Sequence, residues 1–220
     1  MLALGPGMLA VGYAVTINNH TPAAVLYMVA FFLVDRLSVD QRRPYILYAL
    51  VGLMTGFAFA IELPSGGIAI WLLLWLWWKD VKWGWIGMVV ALVPTLVSMG
   101  LYEYLSGSPK PFYLRSELYD YAGSYWHNKE GIDAEQPAKG VYILHMLLGF
   151  RGWISMTPIL LFGIIAGLRA RSARLVPEWL GMWPGILALV VFVVFRTWNY
   201  GGAAIGMRWF ICFSPLVMLL

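Results

Sequence analysis

Eight uncharged, apolar runs divide this chain, and they constrain its fold more than any other feature. They are Met1–Ile17, Thr21–Val34, Pro44–Ile61, Ile68–Trp78, Gly84–Tyr102, Gly152–Leu168, Trp179–Phe195 and Trp209–Leu220. A helix rises 1.5 Å per residue and a bilayer core is about 30 Å thick, so about 20 residues span it. The runs therefore predict an all-α, polytopic transmembrane helical bundle. It forms one membrane domain over residues 1–220, with one long extracytoplasmic loop over 103–151. Composition agrees. Of 220 residues, 61% are hydrophobic and 12% are charged, and the mean hydropathy is +0.74. Soluble domains carry about 25% charged residues. This excludes a disordered chain, a coiled coil, a collagen-like repeat and most soluble enzymes.

The net charge of +4 and pI near 9.2 do not point to nucleic acid. No window combines several Lys or Arg with the interleaved aromatics of a nucleic-acid groove. The basic residues instead punctuate the apolar runs. Asp35–Arg43 carries Arg36, Arg42 and Arg43; Lys79–Trp83 carries Lys79 and Lys82; Arg169–Glu178 carries Arg169, Arg171 and Arg174. Short loops rich in Lys and Arg stay in the cytoplasm. The alternation puts the N-terminus inside. It puts four segments outside: Asn18–Thr21, Glu62–Gly67, Glu103–Arg151 and Arg196–Arg208. The expected location is the cell membrane, with the lipid bilayer as first partner. Trp71, Trp75, Trp77, Trp78, Trp83 and Trp85 bracket the Lys79-Asp80 turn and read as an aromatic belt at the inner interface. Both ends of the chain read as cut within a span, so the expectation is a piece of a longer protein.

Thr21–Val34 and Ile68–Trp78 are short for a span. They reach across only if their polar flanks dip into the membrane, and polar backbone survives there only in protein or along a wet cavity. Both flanks, Asn18–Thr21 and Glu62–Gly67, are thus expected at a cavity. Glu62 lies between two spans with no basic neighbour. A carboxylate at that depth is costly and marks a candidate functional group, and proton transfer suits it. Asn18, Asn19 and His20 precede Thr21-Pro22, with Thr21 the expected N-cap. Two Asn and a His exceed what a cap needs, and a helix N-terminus favours anions. Tyr200 sits in the turn Asn199–Gly202, whose glycines let backbone approach a ligand. Arg208 stands on the outer side against the charge trend, and arginine clamps phosphate bidentately. In the long loop, Tyr113, Tyr119, Tyr121, Tyr125 and Trp126 mix with acids and amides, as in a sugar site or an interfacial loop. His145 reads as structural, and Cys212 as a small packing or lipid-facing residue. No His, Cys or Asp set has metal-ligand spacing, so no cofactor is specified, and a divalent metal is left open without a ligand set.

Taken in order, several motifs resemble the GT-C superfamily of lipid-linked-sugar glycosyltransferases, in the bacterial branch related to dolichyl-phosphate-mannose protein mannosyltransferases. They are Thr16–Ala23, Ile61–Pro64, Gly123–Trp126 with Gly131–Asp133, His145–Pro158, and Asn199–Gly202 with Gly206–Arg208. The resemblance implies transfer of a sugar from a polyprenyl phosphate to an acceptor hydroxyl on the extracytoplasmic face. A carboxylate takes the proton and cations hold the leaving phosphate. It also implies a principal acid upstream of everything matched here, which leaves Glu62 as a substitute in a chain whose isolated activity is open. Arg208 becomes the phosphate cation, with Asn18, Asn19, His20 and Tyr200 on the donor side and Tyr125 and Trp126 on the sugar loop. Two other readings compete: a transporter or flippase of a lipid-linked or small polar substrate, and a non-catalytic membrane scaffold. The spans carry few polar residues to line a through-path (Thr55, Thr95, Ser98, Ser155), which disfavours the transporter.

Overall fold

A computed structural model describes residues 18–37, 44–130, 134–169, 176–196, 200 and 207–218. Among these the chain is all-helical. The α-helices are α1 (His20–Leu37), α2 (Pro44–Ile61), α3 (Gly66–Lys79), α4 (Val81–Ser106), α5 (Lys139–Leu148), α6 (Trp153–Met156), α7 (Leu160–Arg169), α8 (Val176–Arg196) and α9 (Ser214–Val217). Four of them are long and apolar enough to cross a membrane: α1, α2, α4 and the stretch Trp179–Arg196 of α8. A fifth span arises if the bent pair Lys139–Met156 and Leu160–Arg169 counts as one.

That is fewer than the eight runs in the sequence. Met1–Ile17 lies outside the described residues. Ile68–Trp78 forms α3, whose 14 residues reach about 21 Å at 1.5 Å each, short of a bilayer core of about 30 Å. Gly152–Leu168 is broken rather than continuous. Thr157 takes φ −141°, ψ 63°, because Pro158 disfavours helix at the residue before it and has no N–H to give. The helices on either side meet at 89°. Trp209–Leu220 is not one helix either. A 3₁₀ turn over Arg208–Phe210 and the short α9, with Pro215 in its first turn, replace it. This stretch is buried through Phe210, Ile211, Cys212, Phe213, Leu216 and Val217, so it packs as core. The Gly84–Tyr102 run, conversely, extends past Glu103 to Ser106 and stops at Gly107 with φ +66°, a conformation that glycine tolerates.

Small residues set the closest helix crossings. A Cβ on Gly52 of α2 would sit 2.1 Å from the Gly87 carbonyl oxygen of α4, and one on Gly56 would sit 2.3 Å from that of Ala91. A Cβ on Gly67 of α3 would meet Gly185 Cα of α8 at 2.6 Å. Within lipid, apolar helices gain little by excluding one another's surface from water, so backbone approach through small residues supplies the packing.

The Trp belt divides in two. Trp77, Trp78 and Trp85 are exposed, and Trp78 is 79% so. Trp75 is buried beneath Lys79, whose Nζ lies 4.5 Å above its ring. Trp71 turns inward and stacks on Phe31 at 6.1 Å.

Candidate functional site

The site begins at the junction of α2 and α3. Helix α2 ends at Ile61, and a 3₁₀ turn over Leu63–Ser65 follows, started by Pro64. Ser65 Oγ donates to the Glu62 carbonyl at 2.5 Å. The Tyr27 hydroxyl of α1 meets Ser65 Oγ at 2.8 Å and donates to the Ser65 carbonyl at 3.2 Å. All three side chains are buried, so the turn that carries Glu62 is held from two helices. Tyr27→Phe removes both contacts to the buried Ser65. It is expected to lower stability by about 1–3 kcal/mol, read as earlier thermal unfolding in detergent. An unchanged unfolding temperature would remove this network from the account.

Glu62 is 1% exposed. Its Oε2 accepts a hydrogen bond from Asn19 Nδ2 at 2.5 Å and lies 2.6 Å from His20 Nδ1. The imidazole contact is close but out of line for a directed N–H···O bond. Its Oε1 is equally buried and has no hydrogen-bond partner. Leaving one oxygen of a buried carboxylate unsatisfied costs free energy. Such a group in a folded protein demands an explanation, and a catalytic role is one of the recognised ones.

The α1 N-terminus supplies both neighbours. Asn18 Oδ1 accepts the Thr21 N–H at 2.9 Å and so caps the helix. This corrects the expectation of Thr21 as N-cap, because the helix already runs from His20. Asn18 is thereby occupied with its own backbone and is absent from the cavity lining.

A cavity of about 1290 Å³ opens on Glu62. Asn19, His20 and Glu62 line one part of it. Arg196, at the end of α8, and Arg208 line another, with Trp209 beside them. Arg208 Nε is buried and has no hydrogen-bond partner. The loop between α4 and α5 closes the cavity with Tyr119, Asp120, Trp126, His127, Lys129 and Gln136. Trp126 is braced edge-to-face by Tyr119 at 6.0 Å and Tyr125 at 5.7 Å. Ser124 Oγ accepts the backbone N–H groups of Tyr121 and His127 and shapes this turn. His127 Nδ1 lies 3.3 Å from Asp120 Oδ1. Further along the loop, the Arg115 guanidinium donates to Glu117 at 2.7 Å and holds that carboxyl below the usual carboxylate range.

All four segments that the charge pattern groups on one side contribute lining residues to this one cavity. Among the described residues, none from the segments it groups on the other side lines it. Asn19, His20, Glu62, Trp126 and Arg208 come together there. Tyr200 does not line it. That residue is buried edge-to-face against Tyr142 at 4.9 Å and lies 6.4 Å from the His145 ring. Tyr125 stands behind Trp126. Asn199, the glycines of its turn, Gly131–Asp133, Gly206 and the Tyr113 side chain lie outside the described residues. Cys212 is buried and not lipid-facing; its thiol donates to the His20 carbonyl at 3.5 Å. Among the described residues no three His, Cys, Asp or Glu side chains are set to hold a metal. Sequence reading did not single out Asp120, Lys129 or Gln136 for the cavity. They are scattered through a loop with no periodicity, and only the folded turn around Ser124 brings the first two to Trp126.

Comparison with protein-family models, with curated proteins and with solved structures finds no match to this chain.

Proposed function

We propose that this cavity serves a membrane glycosyltransferase of the GT-C type, which moves a sugar from a polyprenyl-phosphate donor to an acceptor hydroxyl on the extracytoplasmic face. One observation carries the reading. A buried carboxylate with a vacant oxygen shares a cavity with Arg208, Arg196 and an aromatic ring braced by two others. Those are the groups that the reaction needs. The acceptor O–H bond breaks and its proton passes to the Glu62 carboxylate. The oxygen lone pair forms the new bond to the anomeric carbon, and the bond from that carbon to the phosphate oxygen breaks. The electron pair leaves on polyprenyl phosphate, whose charge Arg208 and Arg196 neutralise. Trp126 offers an apolar face for the sugar ring to stack on. Asn19 and His20 border the same space. The basic loops support the extracytoplasmic side for this chemistry, by the positive-inside rule.

The test is sugar transfer from a labelled polyprenyl-phosphate-sugar by the purified chain in lipid vesicles. Transfer to a hydroxyl acceptor is expected. Vesicle uptake of the labelled substrate with no glycoside formed would favour a transporter instead. Arg208→Ala is expected to cut transfer about 10²–10³-fold, the loss typical when one donor to a developing oxyanion is removed. Arg208→Lys restores part of it, because lysine keeps the charge but not the bidentate geometry. Full activity in Arg208→Ala would remove the phosphate role.

A further inference from the structure

Asn19 and His20 were expected on the donor side, but their geometry gives them other work. Asn19 Nδ2 carries two protons. One goes to the Ile61 carbonyl at 3.1 Å and the other to Glu62 Oε2 at 2.5 Å. The amide nitrogen has nothing left to donate to a ligand. The His20 ring is 4% exposed and its Nδ1 sits 2.6 Å from the same carboxylate oxygen. Its backbone carbonyl takes the Cys212 thiol at 3.5 Å. The residue is therefore wedged between the carboxylate and the strand of chain that follows Arg208. The Asn18 cap fixes the backbone of the first turn of α1, from which both side chains project.

We propose that Asn19 and His20 are positioning residues for Glu62. They occupy Oε2 together, which holds the carboxylate in one orientation and leaves Oε1 as the oxygen with no protein partner. The inference rests on the transferase reading and deepens it. It also explains why two partners crowd one oxygen of Glu62 while the other has none: a carboxylate kept only for structure gains by satisfying both. His20 further joins the two arms of the site, since it touches Glu62 through its ring and the Arg208-bearing stretch through its carbonyl.

A positioning role and a donor-binding role separate in kinetics. A residue that only orients the base changes kcat and leaves donor KM unchanged, whereas a residue that binds donor equally in ground and transition states raises KM. Displacement of a reacting group by about 1 Å costs about 10²-fold. The experiment uses the chain in lipid vesicles with labelled polyprenyl-phosphate-sugar, and measures kcat, donor KM and donor binding at equilibrium. Asn19→Ala, His20→Ala and His20→Gln are expected to lose about 10²-fold in kcat with donor KM and binding unchanged. His20→Asn is expected to recover most of what His20→Ala loses, because its amide nitrogen sits close to where imidazole Nδ1 was, while the amide of His20→Gln sits nearer Nε2. Asn19→Asp is expected to be worse than Asn19→Ala, since it sets a second carboxylate against Glu62.

A raised donor KM with unchanged kcat overturns the assignment and returns both residues to the donor side. Equal activity in His20→Gln and His20→Asn also overturns it. Should the His20 variants fail to fold, Asn19→Ala carries the test alone, because Asn19 is on the surface. Wild-type chain that transfers no sugar sinks the transferase reading and this assignment together. Wild-type transfer that Glu62→Gln abolishes and Asn19→Ala leaves intact sinks the assignment only.

Discussion

Glu62→Gln is expected to lower sugar transfer by about 10²–10⁴-fold, the range over which a positioned general base acts. The two side chains have nearly the same volume, so the α2–α3 turn and the Ser65 contacts should persist. What changes is the oxygen without a partner. A carboxylate oxygen accepts a proton from the acceptor hydroxyl, and an amide does not. Donor binding is expected to survive, because Arg208 and Arg196 are untouched. The measurement pairs transfer rate with equilibrium donor binding in the same vesicles. Transfer above a tenth of wild type, with binding intact, would show that Glu62 is not the base.

The second large effect concerns stability. Gly52→Val places a branched side chain where the α4 backbone already lies: even the first carbon would stand 2.1 Å from the Gly87 carbonyl oxygen and 2.7 Å from its Cα. No rotamer resolves a clash with backbone, so α2 and α4 must separate. Overpacking of this kind costs about 1–3 kcal/mol and occasionally more. It should also open the neighbouring crossing at Gly56 and Ala91, because both contacts lie on one seam. Gly100→Val is the matched control, since nothing lies within 4 Å of a Cβ there. Thermal unfolding in detergent should fall clearly for Gly52→Val and stay near wild type for Gly100→Val, apart from the small helix-propensity change. Equal stability of the two variants would contradict the close crossing.

Much of the fold was legible because hydropathy and charge act over long windows. The uninterrupted runs at Pro44–Ile61, Gly84–Tyr102 and Trp179–Phe195 each became a helix, with ends within a few residues of the first charge or cap. The failures have a common cause. In Gly152–Leu168 and Trp209–Leu220 the apolar character is unbroken, but Pro158 and Pro215 set the backbone, and hydropathy does not see a missing N–H. The Trp cluster misled in the opposite sense. Composition counts six rings alike, while helical position sends Trp71 and Trp75 inward and leaves Trp77, Trp78 and Trp85 outside.

The site was legible where a residue was out of place. Glu62 among apolar runs and Arg208 against the charge trend both stand out in the sequence, and both line the cavity. Asn18 and Tyr200 stood out equally and do not line it. A cap consumes one, and aromatic packing buries the other. Local sequence does not say whether a polar side chain meets its own backbone or faces a ligand. The loop wall was the least legible part, because residues such as Asp120 and Gln136 carry no pattern until the turn folds.

One donor has to meet two distant parts of the chain at once. Photolabelling tests that directly, with a polyprenyl-phosphate-sugar that carries a diazirine on the sugar, followed by peptide mapping. Competable adducts are predicted in both 119–129 and 196–209. Adducts confined to the outward residues of α4, or undiminished by excess unlabelled donor, would contradict a shared cavity.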